Sequence, residues 1–94
     1  MSKKLCSISE DLVNSLLDQQ GLAKDHIDSV ETSILSSDPL LVSVVVKLNK
    51  PLAITCEELM ERLTKDADSW NVSTHLYYFN KGGFWINFSN AETS

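Results

Sequence analysis

The fold turns on residues 72–88, Val72-Ser-Thr-His-Leu-Tyr-Tyr-Phe-Asn-Lys-Gly-Gly-Phe-Trp-Ile-Asn-Phe88. Two runs rich in aromatic and branched side chains, Val72 to Phe79 and Phe84 to Phe88, flank the turn signal Asn80-Lys81-Gly82-Gly83 and read as a β-hairpin. Tyr77, Tyr78, Phe79, Phe84, Trp85 and Phe88 all lie on it, and only Trp70 among the aromatics lies outside. One face of a hairpin cannot hide that much aromatic surface, so the surplus points to a partner, to self-association or to an unusually thick core.

A three-residue loop with Gly82 left-handed in a bulge pairs Phe79 with Gly83 and Tyr77 with Trp85. That register predicts Val72, Thr74, Leu76, Tyr78, Phe84, Ile86 and Phe88 on a covered face. Ser73, His75, Tyr77, Phe79, Trp85 and Asn87 then share the outer face. A two- or four-residue loop would instead set Tyr78 against Trp85. Under either loop a Trp and a Tyr face outward.

Working back along the chain, Thr55 to Glu58 is a capping box with Ile54 and Leu59 as its hydrophobic staple. It predicts a helix to about Ser69 that buries Leu59, Met60, Leu63 and Ala67. Glu57, Glu61, Lys65 and Asp68 are left in solvent, with Glu58–Arg62 and Glu61–Lys65 as supporting pairs. Before it, Leu40, Val42, Val44, Val46 and Leu48 alternate as a strand that needs a neighbour. Asp25 to Ser36 has both helical and strand periodicity, and its Ser and Thr content tips it toward strand, joined through Ser36-Ser37-Asp38-Pro39. A first helix is predicted over 9–20, capped by Ser9, stapled by Ile8 and Val13, and ended by Gly21 with Leu22 folding back on Leu17.

The expected fold class is therefore α+β. A single domain, helix-hairpin-helix-hairpin (αββαββ), would place a four-stranded antiparallel sheet with two helices on one face, and residues 1–6 and 89–94 as flexible tails. The two helix-plus-hairpin units match at little beyond Leu12 on Leu59 and Leu16 on Leu63, too little for an internal duplication.

Ninety-four residues suffice for one thin core. Thirteen Asp and Glu against eight Lys and Arg leave a net charge of −5, which repels phosphate backbones and anionic lipid. The longest apolar run, Leu40 to Val46, is interrupted by Ser43 and far too short for a membrane helix. Lys3-Lys4 is followed by polar Ser7, Ser9, Glu10 and Asp11, which is no secretory pattern, so a cytoplasmic protein with Cys6 and Cys56 reduced is expected.

Chemistry has few footholds. His26 and His75 lie at no ligand spacing from a cysteine or from each other, so no metal is expected. Cys56 at a helix start gains thiolate character from the helix end, but Glu57 and Glu58 oppose it. Gly82-Gly83 precedes no helix and cannot cradle a phosphate. No cofactor and no catalytic residue is expected, and the chain is read as non-enzymatic.

What remains is a small acidic protein-interaction domain. Its expected partner-binding residues are Tyr77, Phe79 and Trp85 on the sheet and Glu57, Glu61 and Asp68 on the second helix. Dense acidity suits another protein with a basic, nucleic-acid-binding surface, in the manner of phage or plasmid inhibitors and toxin-immunity proteins. A homodimer packed through the aromatic face is a further expectation. Direct nucleic-acid binding by stacking on Tyr77, Phe79 and Trp85 is set against by the charge, since only Lys81 and Lys47 are expected near that face.

Overall fold

The computed structural model describes the backbone of residues 2–37 and 40–90, with side chains from Leu5 onward. Helix α1 (Ser2–Gln19) leads through a 3-10 turn (Lys24–His26) into strands β1 (Ile27–Ser37) and β2 (Leu40–Leu48). Helix α2 (Cys56–Asp68) then leads into β3 (Val72–Asn80) and β4 (Gly83–Asn90). The strands form one antiparallel sheet in the order β1-β2-β4-β3. The class is α+β, and the 3-10 turn is an element that hydrophobic periodicity does not signal.

Pairing of β2 with β4 makes those two strands central and joins the hairpins into one surface. Val42, Val44 and Val46 face Phe88, Ile86 and Phe84 across that seam, and all six are buried. Over them pack Leu5, Leu12, Val13, Leu16 and Leu17 of α1, with Leu59, Leu63 and Ala67 of α2, in one apolar cluster. Helix α1 lies against β1, β2 and β4, and α2 against β3.

The helix starts differ from expectation in one case. Thr55 is the cap of α2: its hydroxyl accepts from Glu58 N–H at 3.1 Å and its own N–H donates to Glu58 Oε1 at 3.1 Å. Ser9, by contrast, is no cap. It lies inside α1, fully buried, and its hydroxyl donates back to the Leu5 carbonyl at 2.7 Å. Leu5 continues the apolar stripe two turns before Leu12, and burying it (1 % exposed) carries the helix back to Ser2. Residues 2–6 thus belong to α1, and Ser89 and Asn90 to β4. The expected tail at 91–94 and the turn at Asp38-Pro39 fall outside the described residues.

Helix α1 ends as its sequence signals. Gly21 takes φ 72°, Leu22 N–H reaches the Leu17 carbonyl at 3.2 Å, and Gly21 N–H reaches Asp18 at 3.0 Å, the double bond of a Schellman ending. Past α2, Asn71 takes the left-handed conformation at φ 60° and turns the chain into β3.

Candidate functional site

The β3–β4 loop sets which aromatics face out. It is two residues long, Lys81-Gly82, between the paired Asn80 and Gly83. The Asn80 side-chain oxygen accepts from Gly82 N–H at 2.7 Å and closes the turn. Gly82 does not adopt a positive φ, which corrects the left-handed bulge expected of it. The special glycine is Gly83, where a Cβ would stand 2.3 Å from the Val46 carbonyl oxygen of β2. Two further bonds tie the loop to the chain leaving β2, from Leu48 N–H to the Gly82 carbonyl at 2.8 Å and from Leu52 N–H to the Lys81 carbonyl at 3.0 Å.

The irregularity lies instead at Tyr77, between the pairs Leu76–Ile86 and Tyr78–Trp85. An extra residue there reverses the alternation for the rest of β3. Phe79 therefore opposes Phe84 on the helix side and packs against the core. Its expected place among the outward partner-binding residues is corrected, and Tyr78 takes the outer position.

The outer face carries an ordered aromatic cluster. Trp85 is 38 % exposed, Tyr77 57 % and Tyr78 54 %. The Tyr77 and Trp85 rings lie 5.4 Å apart at 37°, and His75 meets Tyr77 edge-on at 4.7 Å. Trp85 Nε1–H donates to Asn87 Oδ1 at 2.9 Å, which fixes the indole over the neighbouring row. Cross-strand pairing aligns Glu31, Val45, Trp85 and Tyr78 in one row and Ser33, Ser43, Asn87 and His75 in the next. Ser43 and Asn87, small and flanked by taller neighbours, are buried even on this open side.

Glu57, Glu61 and Asp68, the other expected site residues, are all exposed, but on α2, across the sheet from Trp85. The structure brings Tyr77 and Trp85 together and sets the three carboxylates on the opposite layer. With Glu10, Asp11 and Asp18 of α1 and Glu58 and Asp66 of α2 they make eight carboxylates. Among the described side chains of α1 and α2, the cations set against them are Arg62 and Lys65. Between the helices lies a groove of about 330 Å³ lined by Asp11, Leu12, Ser15, Asp66, Ser69 and the half-exposed Trp70. Glu58 is held below the ordinary carboxylate value first by the Thr55 N–H, then by the Thr55 hydroxyl, with Arg62 adding less.

The four strands, by contrast, carry only Asp28, Glu31 and Lys47. At the end of the sheet where Lys47 pairs with Gly83, Lys50 and Lys81 line a shallow cleft of about 200 Å³ with Leu48, Asn49, Pro51 and Gly82. The pairing of β2 with β4 creates this basic corner. The sequence already sets Lys47 and Lys81 near the outer face, and Lys50 is the member that only the structure adds.

Cys56 opens α2 half-buried, and Cys6 is half-buried in α1; both are free thiols. Among the described residues no group of three or more His, Cys, Asp and Glu stands close enough to hold a metal ion. No described helix is long and apolar enough to cross a membrane. Comparison with known proteins finds no matching family model, no matching curated protein and no matching solved structure.

Proposed function

We propose that this chain is a non-enzymatic protein-interaction domain whose acidic helical layer binds a basic surface of a larger protein, such as one that handles nucleic acid. The observation that carries this reading is the segregation of charge: eight carboxylates on α1 and α2, with far fewer charges on the strands. A one-signed surface accelerates encounter with a complementary one and fixes orientation, while contributing less to affinity at high salt. The groove between the helices, with Asp11 and Asp66 beside Trp70, suits an entering Lys or Arg, since a carboxylate pair and an aromatic face both attract a cation. An inhibitor or immunity-type role fits such a surface, because covering a basic site requires acidity more than chemistry.

The test is a quantitative pull-down from native-host lysate with the wild-type chain and with Glu57→Gln/Glu61→Gln/Asp68→Asn. The reading requires a protein that wild type captures, that 0.5 M salt releases and that the triple variant captures at least tenfold less. A captured protein indifferent to both salt and the triple substitution would refute it.

A further inference from the structure

The net charge of −5 argues against nucleic acid only if it is spread over the surface, and it is not. The carboxylates of α1 and α2 lie behind the sheet, and packed layers are about 10 Å apart. At physiological salt the Debye length is about 8 Å, so a ligand on the open face is largely screened from them. What it meets directly is Trp85, Tyr77, Tyr78 and His75, with Glu31 at the far end of the Trp85 row, Lys47 two residues on along β2, and Lys50 and Lys81 at that end of the sheet. Two residues of strand, about 7 Å, separate Lys47 from the row of Val45 and Trp85. The acids near this corner are Glu31 on the edge strand, Asp25 at the 3-10 turn, and Asp28, whose carboxylate is engaged by Asn49 Nδ2 at 2.8 Å.

From this arrangement we propose that the open sheet face binds a short single strand of nucleic acid. Bases stack on Trp85 and the Tyr77–Tyr78 pair, and phosphates run past Lys47, Lys81 and Lys50. Stacking on sheet aromatics is tolerant of sequence because every base has a π face. The platform is also preorganised: the indole is fixed by its bond to Asn87 and braced on Tyr77, so little side-chain freedom is lost on binding. A duplex, with its bases stacked inside, cannot use such a face. This goes beyond the acidic-layer reading and does not depend on it, since the two surfaces are on opposite sides of the sheet.

The experiment uses Trp70→Phe, which leaves Trp85 as the only tryptophan, titrated with dT12, U12 and a 12-base-pair duplex. The proposal requires saturable quenching of Trp85 by the single strands and at least tenfold weaker binding of the duplex. The difference between dT12 and U12 reports whether the 2′-hydroxyl is read. With three phosphate contacts, log K should fall against log salt with a slope of about −2. Lys47→Gln/Lys50→Gln/Lys81→Gln should bring that slope close to zero. Anisotropy of labelled dT12 should show roughly tenfold or greater weakening in Trp85→Ala and in Tyr78→Ala, with circular dichroism confirming that each is folded. Glu57→Gln/Glu61→Gln/Asp68→Asn should bind dT12 as wild type does, so this proposal and the acidic-layer reading fail separately. No quenching at 1 mM oligonucleotide would overturn the proposal. So would binding that survives Trp85→Ala, or sedimentation showing that a second copy of the chain already covers Trp85.

Discussion

Replacing Gly83 by Ala tests the join between the two hairpins. The added Cβ would stand 2.3 Å from the Val46 carbonyl oxygen, against the 3.4 Å or more of an ordinary contact. The obstacle is backbone of a central strand, so either β2 or the start of β4 must move by about 1 Å. The φ of 159° at Gly83 is also one that side-chain-bearing residues rarely adopt. Overpacking of this kind costs about 1 to 3 kcal/mol, and sparsely populated backbone a comparable amount, so about 2 to 4 kcal/mol is expected. Against a total stability of roughly 5 to 14 kcal/mol for a chain of this length, that is a large fraction. Thermal unfolding followed by circular dichroism should show Tm lower by roughly 10 to 25 °C. Gly82→Ala is the control: its Cβ meets only the Asn80 side chain at 3.4 Å, and the change should stay within about 1 kcal/mol of neutral. Equal damage from the two substitutions, or harmless Gly83→Ala, would refute the close approach of β2 to the loop.

Three further outcomes follow from the helix termini. Leu5→Ala should cost about 2 to 5 kcal/mol in urea unfolding because Leu5 is core, whereas a residue in a free tail would cost nothing. Ser9→Ala should stay within about 0.5 kcal/mol of wild type, since the Leu5 carbonyl keeps its helical partner; a loss of 1 kcal/mol or more would restore Ser9 as a cap. Thr55→Ala should cost about 1 kcal/mol. Because the folded Glu58 pKa lies below its unfolded value, the stability it contributes is present above the unfolded carboxylate range, near pH ~4.3. It is lost as pH falls through the lower folded value. Urea titrations of wild type and Glu58→Gln should therefore converge in acid, and a difference that grows below pH 4 would contradict the assignment.

Local chemistry was legible wherever the determinant was local. The capping box at Thr55 and Glu58, the glycine ending at Gly21 and the alternation of Val42, Val44 and Val46 each depend on residues within a few positions, and each stands as read. Ser9 misled because a serine before acidic residues has the composition of a cap, while Leu5 as the first buried turn is evident only once the core is assembled. The exchange of Tyr78 and Phe79 has a longer-range cause. Gly83 must pass against Val46, Asn80 then closes a two-residue loop, and the bulge at Tyr77 absorbs the difference in register. Nothing in residues 72–88 alone fixes that sequence of constraints. Of the basic corner, Lys47 and Lys81 were legible as the lysines near that face if the hairpins are adjacent, whereas Lys50 joins them only through the course of the chain after β2. A net charge summed along the chain hides the separation of an acidic helical layer from a nearly uncharged sheet.

The layered arrangement, with the helices on one side of the sheet and an open face on the other, depends on the aromatic cluster being surface and not core, and the neighbours Phe84 and Trp85 decide it. Phe84 is 1 % exposed among the valines of β2, so Phe84→Ala should cost about 3 to 5 kcal/mol. Trp85 is partly exposed and would lose its bond to Asn87 and its contact with Tyr77, so Trp85→Ala should cost only about 1 to 2 kcal/mol. Urea unfolding of the two variants measures this ranking directly. Phe84→Ala as the more damaging change, with Trp85→Ala folded, is the predicted result. Trp85→Ala unfolding the chain while Phe84→Ala is tolerated would mean that the hairpin is inside out and that the open binding face does not exist.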